Sequence, residues 1–245
     1  MQPIQIIKPL SPKKHKKVIV VISLVVLLAG LLAGAAIWFN GGVRPIFDVF
    51  LPTPDPTSEK LGKKREASKN STTNEFGAIE NSMGFTSGSA STYDSCYKGQ
   101  NNYKVHSGFS NRCTLRTTKY YGSNINFRSE MMKLDQVLVS TGWQSSEKDS
   151  LPYYMTDYYD TGRKISQLPE VRGGYTKKDN RIDISYAEKG SNSLYNLEMF
   201  QGFSLIGFPF YEEKKFQDVA SVFNQITANN QFIVAISIDT KYYEN

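Results

Sequence analysis

From Val18 to Phe39 the chain runs 22 residues without a charge, and Ser23 is the only polar side chain among them. As a helix this run is roughly 33 Å long, enough to cross a hydrocarbon layer of about 30 Å. A buried helix of a globular domain is seldom apolar on every face for so long. The flanks agree with a span. Residues 1–17 hold Lys8, Lys13, Lys14, Lys16 and Lys17 and no acid, whereas Arg44 is the one cation close behind the run. Trp38 and Phe39 close it, where aromatic rings favour the interface. The positive-inside rule then predicts a cytoplasmic N-terminus, a single-pass signal-anchor at the plasma membrane and an extracytoplasmic C-terminal bulk. A cleaved signal peptide is the competing reading, with Ala33-Gly34-Ala35 as a small-residue cleavage site. Both readings export the same domain.

Within the run, Gly30 and Gly34 form a GxxxG pair, the spacing that lets two membrane helices approach closely. Self-association of the chain as a homodimer through this face is the corresponding expectation.

The charge balance excludes a nucleic-acid partner. The formal net charge is +6, but the tail carries five cations, which leaves the remainder nearly balanced. The basic surplus therefore belongs to membrane topology.

Residues 40–75 read as a stalk. Prolines 45, 52, 54 and 56 oppose helix and favour an extended run. The stretch "SEKLGKKREASKNSTTNE" at 58–75 is polar and mixed in charge, with too little apolar surface to fold. Asn70-Ser71-Thr72 is a glycosylation sequon on that linker. From residue 76 the composition changes, and all 15 tyrosines lie beyond residue 90. Residues 76–245 make one ordinary domain.

That domain reads as α+β, an antiparallel sheet with one or two helices on one face. "RCTLRTTKYYG" (112–122) predicts a strand with Cys113, Leu115, Thr117 and Lys119 on one side. "RIDISYAE" (181–188) alternates, with Ile182, Ile184 and Tyr186 inward and Asp183 and Ser185 outward. "SLYNLEMF" (193–200) predicts a hairpin partner, and "FIVAISIDTKYY" (232–243) a central strand. Phe127, Met131, Leu134 and Leu138 form a helical stripe, capped by Asn126 and stopped by Gly142. Phe216, Val219, Phe223 and Ile226 repeat it, with Glu212 and Glu213 in the first turn.

Cys96 and Cys113 are the only cysteines, and both are outside by the topology argument. Two Thr/Tyr-rich segments joined by a polar turn would bring the sulfurs together, which predicts a structural disulfide. Chemistry is sparse. His106 is the one imidazole beyond the tail, and no Ser or Cys nucleophile motif stands near it. Asp160-Thr161-Gly162 has no second copy for an aspartic dyad, and Asp157 and Asp160 form the kind of carboxylate pair any neutral domain contains. No metal-ligand set, phosphate loop or cofactor motif is present. The tyrosine doublets 120–121, 153–154, 158–159 and 242–243 are the remaining oddity. If each lies in a strand, one ring points inward and one outward, which makes Tyr121, Tyr154, Tyr159 and Tyr243 a candidate binding surface for protein or cell-wall glycan.

The order of a basic tail, one span, a polar stalk, "DSCYKGQNNYKV", a second cysteine and a helix ending in "STGW" resembles uncharacterised exported single-pass proteins of small-genome, host-attached bacteria of the Saccharibacteria type. The resemblance covers about 93–143 and the last strand. It carries no catalytic motif, and it implies a bacterial envelope protein. The function expected is a non-catalytic binding or envelope-assembly role on the outer side of the membrane. The alternative is an envelope hydrolase acting on wall sugars or peptides through carboxylates.

Overall fold

The computed structural model describes residues 23, 25–34, 52–85, 89–99, 107–124, 126–160, 173–190, 197, 200–202 and 209–245, with the side chains of 158–160 excepted. Two units emerge, Met1–Leu51 with Gln100–Gly108, and Pro52–Gly99 with Phe109–Asn245. In the first, residues 25–34 are helical and exposed. Among the described residues no helix is long and apolar enough to cross a membrane. The basic tail 1–17 and both ends of the expected 18–39 span lie outside the described residues.

The second unit is α+β. Its chain order is α1 (Glu59–Met83), β1 (Ala90–Lys98), β2 (Asn111–Ser123), α2 (Phe127–Ser140), a 3-10 turn (Glu147–Asp149), α3 (Leu151–Asp160), β3 (Gly173–Lys177), β4 (Asn180–Glu188), β5 (Pro209–Lys215), α4 (Val219–Thr227) and β6 (Phe232–Glu244). The strands form one six-stranded sheet in the order β3-β4-β6-β2-β1-β5, with every pairing antiparallel. β2 and β6, 13 residues each, are the long interior pair.

Both faces of the sheet are covered, because consecutive strand residues point to opposite sides. On one face Tyr121, Ile182, Ile184, Tyr186, Val234, Ile236 and Ile238 pack against Phe76 and Ile79 of α1, the α2 stripe, and Leu151 and Met155 of α3. Phe127 stacks on Phe232 with ring centroids 4.1 Å apart. On the other face Tyr120, Ala187, Ile233 and Ala235 lie under Val219 and Phe223 of α4, with Leu197 and Phe200. Each Val, Leu, Ile, Phe or Met side chain removed from water in this way contributes about 1.5–3 kcal/mol.

The α2 stripe is as expected, with Phe127, Met131, Leu134 and Leu138 fully buried. Gly142 stands just past the helix at φ 89°, a left-handed conformation that favours glycine. Asn126 differs from expectation, since its side chain makes no capping bond. Its carbonyl instead accepts from the Glu130 amide at 2.9 Å.

Four other expectations are corrected. The stalk is one. Residues 59–75 are the first two-thirds of α1, a 25-residue helix preceded by Ser58, whose side chain accepts from the Leu61 amide, and ended by Gly84 at φ 71°. The domain boundary at 75/76 thus falls inside a helix, and residues 52–75 belong to the sheet unit. The helix packs through Leu61, Ser68, Thr72, Phe76 and Ile79, so its contact stripe includes two polar members, Ser68 and Thr72. The Thr72 and Thr240 hydroxyls bond at 2.8 Å, and Arg65 reaches Asp94 at 2.6 Å. The sequon therefore lies in a helix, with its Thr72 buried.

The second correction concerns Asp183 and Ser185, which were expected in solvent and are buried because their face is also covered. Third, Leu197 and Phe200 are helical rather than strand. Fourth, Glu212 and Glu213 belong to edge strand β5. Helix α4 begins later, capped by the Asp218 carboxylate, which accepts from the Ala220 amide at 3.1 Å.

Cys96 and Cys113 are direct cross-strand partners of β1 and β2, and they are disulfide-bonded. Both are fully buried, with Leu61, Leu115 and Tyr242 around them. Closing a loop of this separation (17 residues) stabilises the fold by about 3 kcal/mol in the chain-entropy model. The hairpin loop leaves at Gly99, where an added Cβ would fall 1.8 Å from the Phe109 carbonyl oxygen.

Candidate functional site

Strand register orders the α4 face of the sheet into transverse rows. Nearest α4 the rows are mainly apolar, with Ala187 beside Ile233 and then Ala235 between Tyr120 and the buried Ser185. Next comes a row of small and polar residues, Gly174, Asp183, Ser237, Thr118 and Ser91. The following row crosses all six strands as Thr176, Arg181, Asp239, Arg116, Tyr93 and Lys214. Beyond it lie Lys241 beside Thr114, and Arg112 beside Glu244. The face therefore grades from an apolar half under α4 to a charged half.

In the charged half is a recess of about 300 Å³. It is lined by Tyr93, Thr114, Thr176 and Asn180, by the cations Arg112, Arg116, Lys178, Arg181 and Lys241, and by Asp179 and Asp239. Arg116 is its buried floor, 3% exposed. Its Nε donates to Asp239 at 2.8 Å, one terminal nitrogen to Asp183 at 2.6 Å and the other to the Phe200 carbonyl at 3.2 Å. Arg181, half-exposed, donates from Nε to the other Asp183 oxygen at 2.6 Å. Two arginines and two aspartates thus neutralise one another; Arg116 and Asp183 are sealed from water, where charge is tolerated only when paired, while Asp239 and Arg181 are partly exposed at the recess. Burial raises the pKa of Asp239, and nearby Asp183 adds to that, although Arg116 pulls the other way.

The rim is built from turn and strand ends. Lys241 reaches Asp179 at 2.9 Å and Glu244 at 3.0 Å, and the bond to Asp179 leads in raising its pKa. Arg112 grips Glu244 through two nitrogens at 2.5 Å. Burial alone would raise the Glu244 carboxyl, but Lys241 and Arg112 more than offset it and hold it below the usual range. Lys178, at the β3–β4 turn, is the one non-glycine residue with positive φ (56°) among the described residues. A left-handed lysine costs roughly 1–2 kcal/mol that glycine would not.

The predicted tyrosine surface is not assembled. Tyr121 is buried, donates to the Glu80 carboxylate at 3.0 Å and stacks on Phe85. Tyr154 is half-buried and sits on helix α3, not on a strand, edge-on to Tyr153. Tyr159 also falls in α3, but its side chain lies outside the described residues. Tyr243 is half-buried on β6, with the Lys64 ammonium 5.5 Å from its ring centroid. These positions lie on different elements, because two of the four doublets are helical. Gly30 and Gly34 are in the 25–34 helical stretch with open space around them. His106 and the Asp160 side chain lie outside the described residues. Among the described residues no three His, Cys, Asp or Glu side chains gather as metal ligands.

Sequence reasoning missed the recess residues themselves. The available signal was the placement of Arg116, Asp183 and Asp239 inside strand patterns, where a charge interrupts an apolar or hydroxyl-bearing run. A second recess, of about 620 Å³, lies at the opposite end of β2 among Phe85, Tyr121, Glu130, Ile226 and Asn230, and it gathers no comparable set of charges. Comparison with family models, with curated proteins and with solved structures found no match for this chain.

Proposed function

We propose that the chain is a membrane-anchored extracytoplasmic binding domain of the cell envelope, held by the apolar run 18–39, with the charged half of its sheet as the ligand-facing surface. The observation that supports binding most strongly is the recess on the α4 face. It combines an aromatic edge, hydroxyls, an amide and forked cations on rigid strands, the composition of a recognition site. The buried disulfide suits an oxidising compartment outside the membrane. The basic tail and the uncharged run support the orientation.

A second reading, a hydrolase acting on wall sugars or peptides through carboxylates, draws on Asp239, whose pKa burial raises. A general acid of that kind needs a free partner carboxylate. Asp183 is sealed and held by both Arg116 and Arg181, and Asp179 is tied to Lys241. Binding is therefore the better reading.

Protease added to intact protoplasts carrying an N-terminally tagged chain tests the topology. The sheet domain is expected to disappear while the tag survives. A protected domain with a degraded tag would reverse the orientation and remove this reading.

A further inference from the structure

We infer that the recess on the α4 face takes an acidic saccharide and recognises its carboxylate. The inference deepens the binding reading above and rests on it. Three observations carry it.

The lining has the mixture that sugars require. Thr114 and Thr176 present hydroxyls and Asn180 an amide, beside the largely buried Tyr93. Its volume, about 300 Å³, is at the small end of ligand clefts and suits a short saccharide rather than a folded partner.

The charge is complementary to an anion. Five cations and two acids line the space. Arg116 is committed to Asp183 and Asp239, Arg112 to Glu244, Arg181 also to Asp183, and Lys241 to Asp179 and Glu244. The five cations thus exceed these four acids by one, and Lys178 is the cation at the opening without an ion pair among the described residues. The guanidinium of Arg112 already holds one carboxylate oxygen, Oε2 of Glu244, with two nitrogens. A guanidinium can also offer two parallel donors to the two oxygens of a carboxylate, which an ammonium cannot. Arg112, Arg181 and Lys241 stand on three different strands, β2, β4 and β6, whose register fixes their backbone positions, while Lys178 is on the β3–β4 turn.

Lys178 is the third observation. It stands at the rim in a conformation that glycine would adopt without strain, and among the described residues it makes no ion pair. A long cation kept at a strained turn beside a basic recess fits a residue retained for contact with a ligand.

The test uses the full-length chain in detergent. It is titrated at low salt with a panel of carboxylated oligosaccharides (oligogalacturonate, oligoguluronate and muramyl-containing wall fragments) and with the methyl esters of the same compounds. At least one acid form is expected to bind while its ester does not, with affinity falling as salt is added. Lys178→Gly, which relieves backbone strain and so leaves the fold intact, is expected to weaken that binding about fivefold. Arg181→Gln should act in the same direction. Binding of no acid form, equal binding of acid and ester, or unchanged affinity in the Lys178→Gly, Arg181→Gln pair would overturn the inference. Tighter binding of a phosphorylated oligosaccharide than of every uronate would overturn the carboxylate assignment. The two readings fail separately. An inward-facing domain removes the envelope role without touching binding in detergent, and an outward-facing domain that binds no acidic saccharide removes only the inference.

Discussion

Arg116→Leu lowers the stability of the sheet domain by about 3–5 kcal/mol, the range for breaking a buried ion pair from one side. Arg116 is 3% exposed, and it is the shared partner of Asp183 and Asp239. Leucine fills part of the space but leaves two carboxylates, Asp183 fully buried and Asp239 partly exposed at the recess. Asp183 keeps Arg181, whereas Asp239 loses its nearest cation. The pH dependence has a definite sign. The Asp239 pKa is already raised by burial, so the folded state binds its proton more tightly than the unfolded chain does. Stability from this group is therefore greatest at acid pH and is lost as pH rises through the carboxylate range. Removing Arg116 enlarges that effect, and the deficit of the variant shrinks as the medium is acidified. Replacing the set together, as Arg116→Leu with Asp183→Asn and Asp239→Asn, recovers most of the loss because no buried unpaired charge remains; Arg181 loses Asp183 but is half-exposed to water. Denaturant midpoints across pH read all three outcomes. A loss for Arg116→Leu below about 1 kcal/mol, typical of exposed pairs, would show that the recess floor is hydrated.

Leu134→Ala is the second large effect, at about 2–5 kcal/mol. Leu134 is fully buried between Met131 and Leu138, on the face of α2 that meets Ile182, Ile184 and Ile236 of the sheet. Truncation removes three carbons from a site bounded by strands that cannot collapse into the space. Lys133, one residue earlier and exposed, gives the control, and its replacement by alanine stays within about 0.5 kcal/mol. Equal small shifts in the two midpoints would mean that α2 does not close the core.

Much of the fold was legible because it obeys simple periods. The α2 stripe repeats at helical spacing and the β6 segment is a continuous strand-forming run, and both appear where the pattern placed them. The cystine was legible because the chain has only two cysteines, flanked by strand-like segments. α1 was not legible, for a physical reason. Its contact stripe runs Leu61, Ser68, Thr72, Phe76, Ile79, and the two middle members are small and polar because the Thr72 hydroxyl bonds Thr240. A rule that equates polarity with solvent reads such a helix as linker. Ser58 as a cap and Gly84 as a stop were the local signals that survived.

The same limit hid the recess. Asp183 was assigned to solvent by alternation, which assumes one covered face. The sheet has two, and the second is known only once Phe200 and α4 are placed over it. The tyrosine doublets misled in the opposite way, since alternation was applied to Tyr153-Tyr154 and Tyr158-Tyr159, which are helical.

The central claim, an outward-facing domain whose charged recess is open to ligands, meets its most direct test in Lys178→Cys. Lys178 is exposed at the recess rim, and the native cysteines are buried and bridged, so the new thiol is the one free thiol on the chain. Intact protoplasts are treated with a membrane-impermeant maleimide, with and without the acidic saccharide that binds best. The account predicts rapid labelling without permeabilisation, and slower labelling when the saccharide is present. Labelling that appears only after the membrane is breached would contradict it.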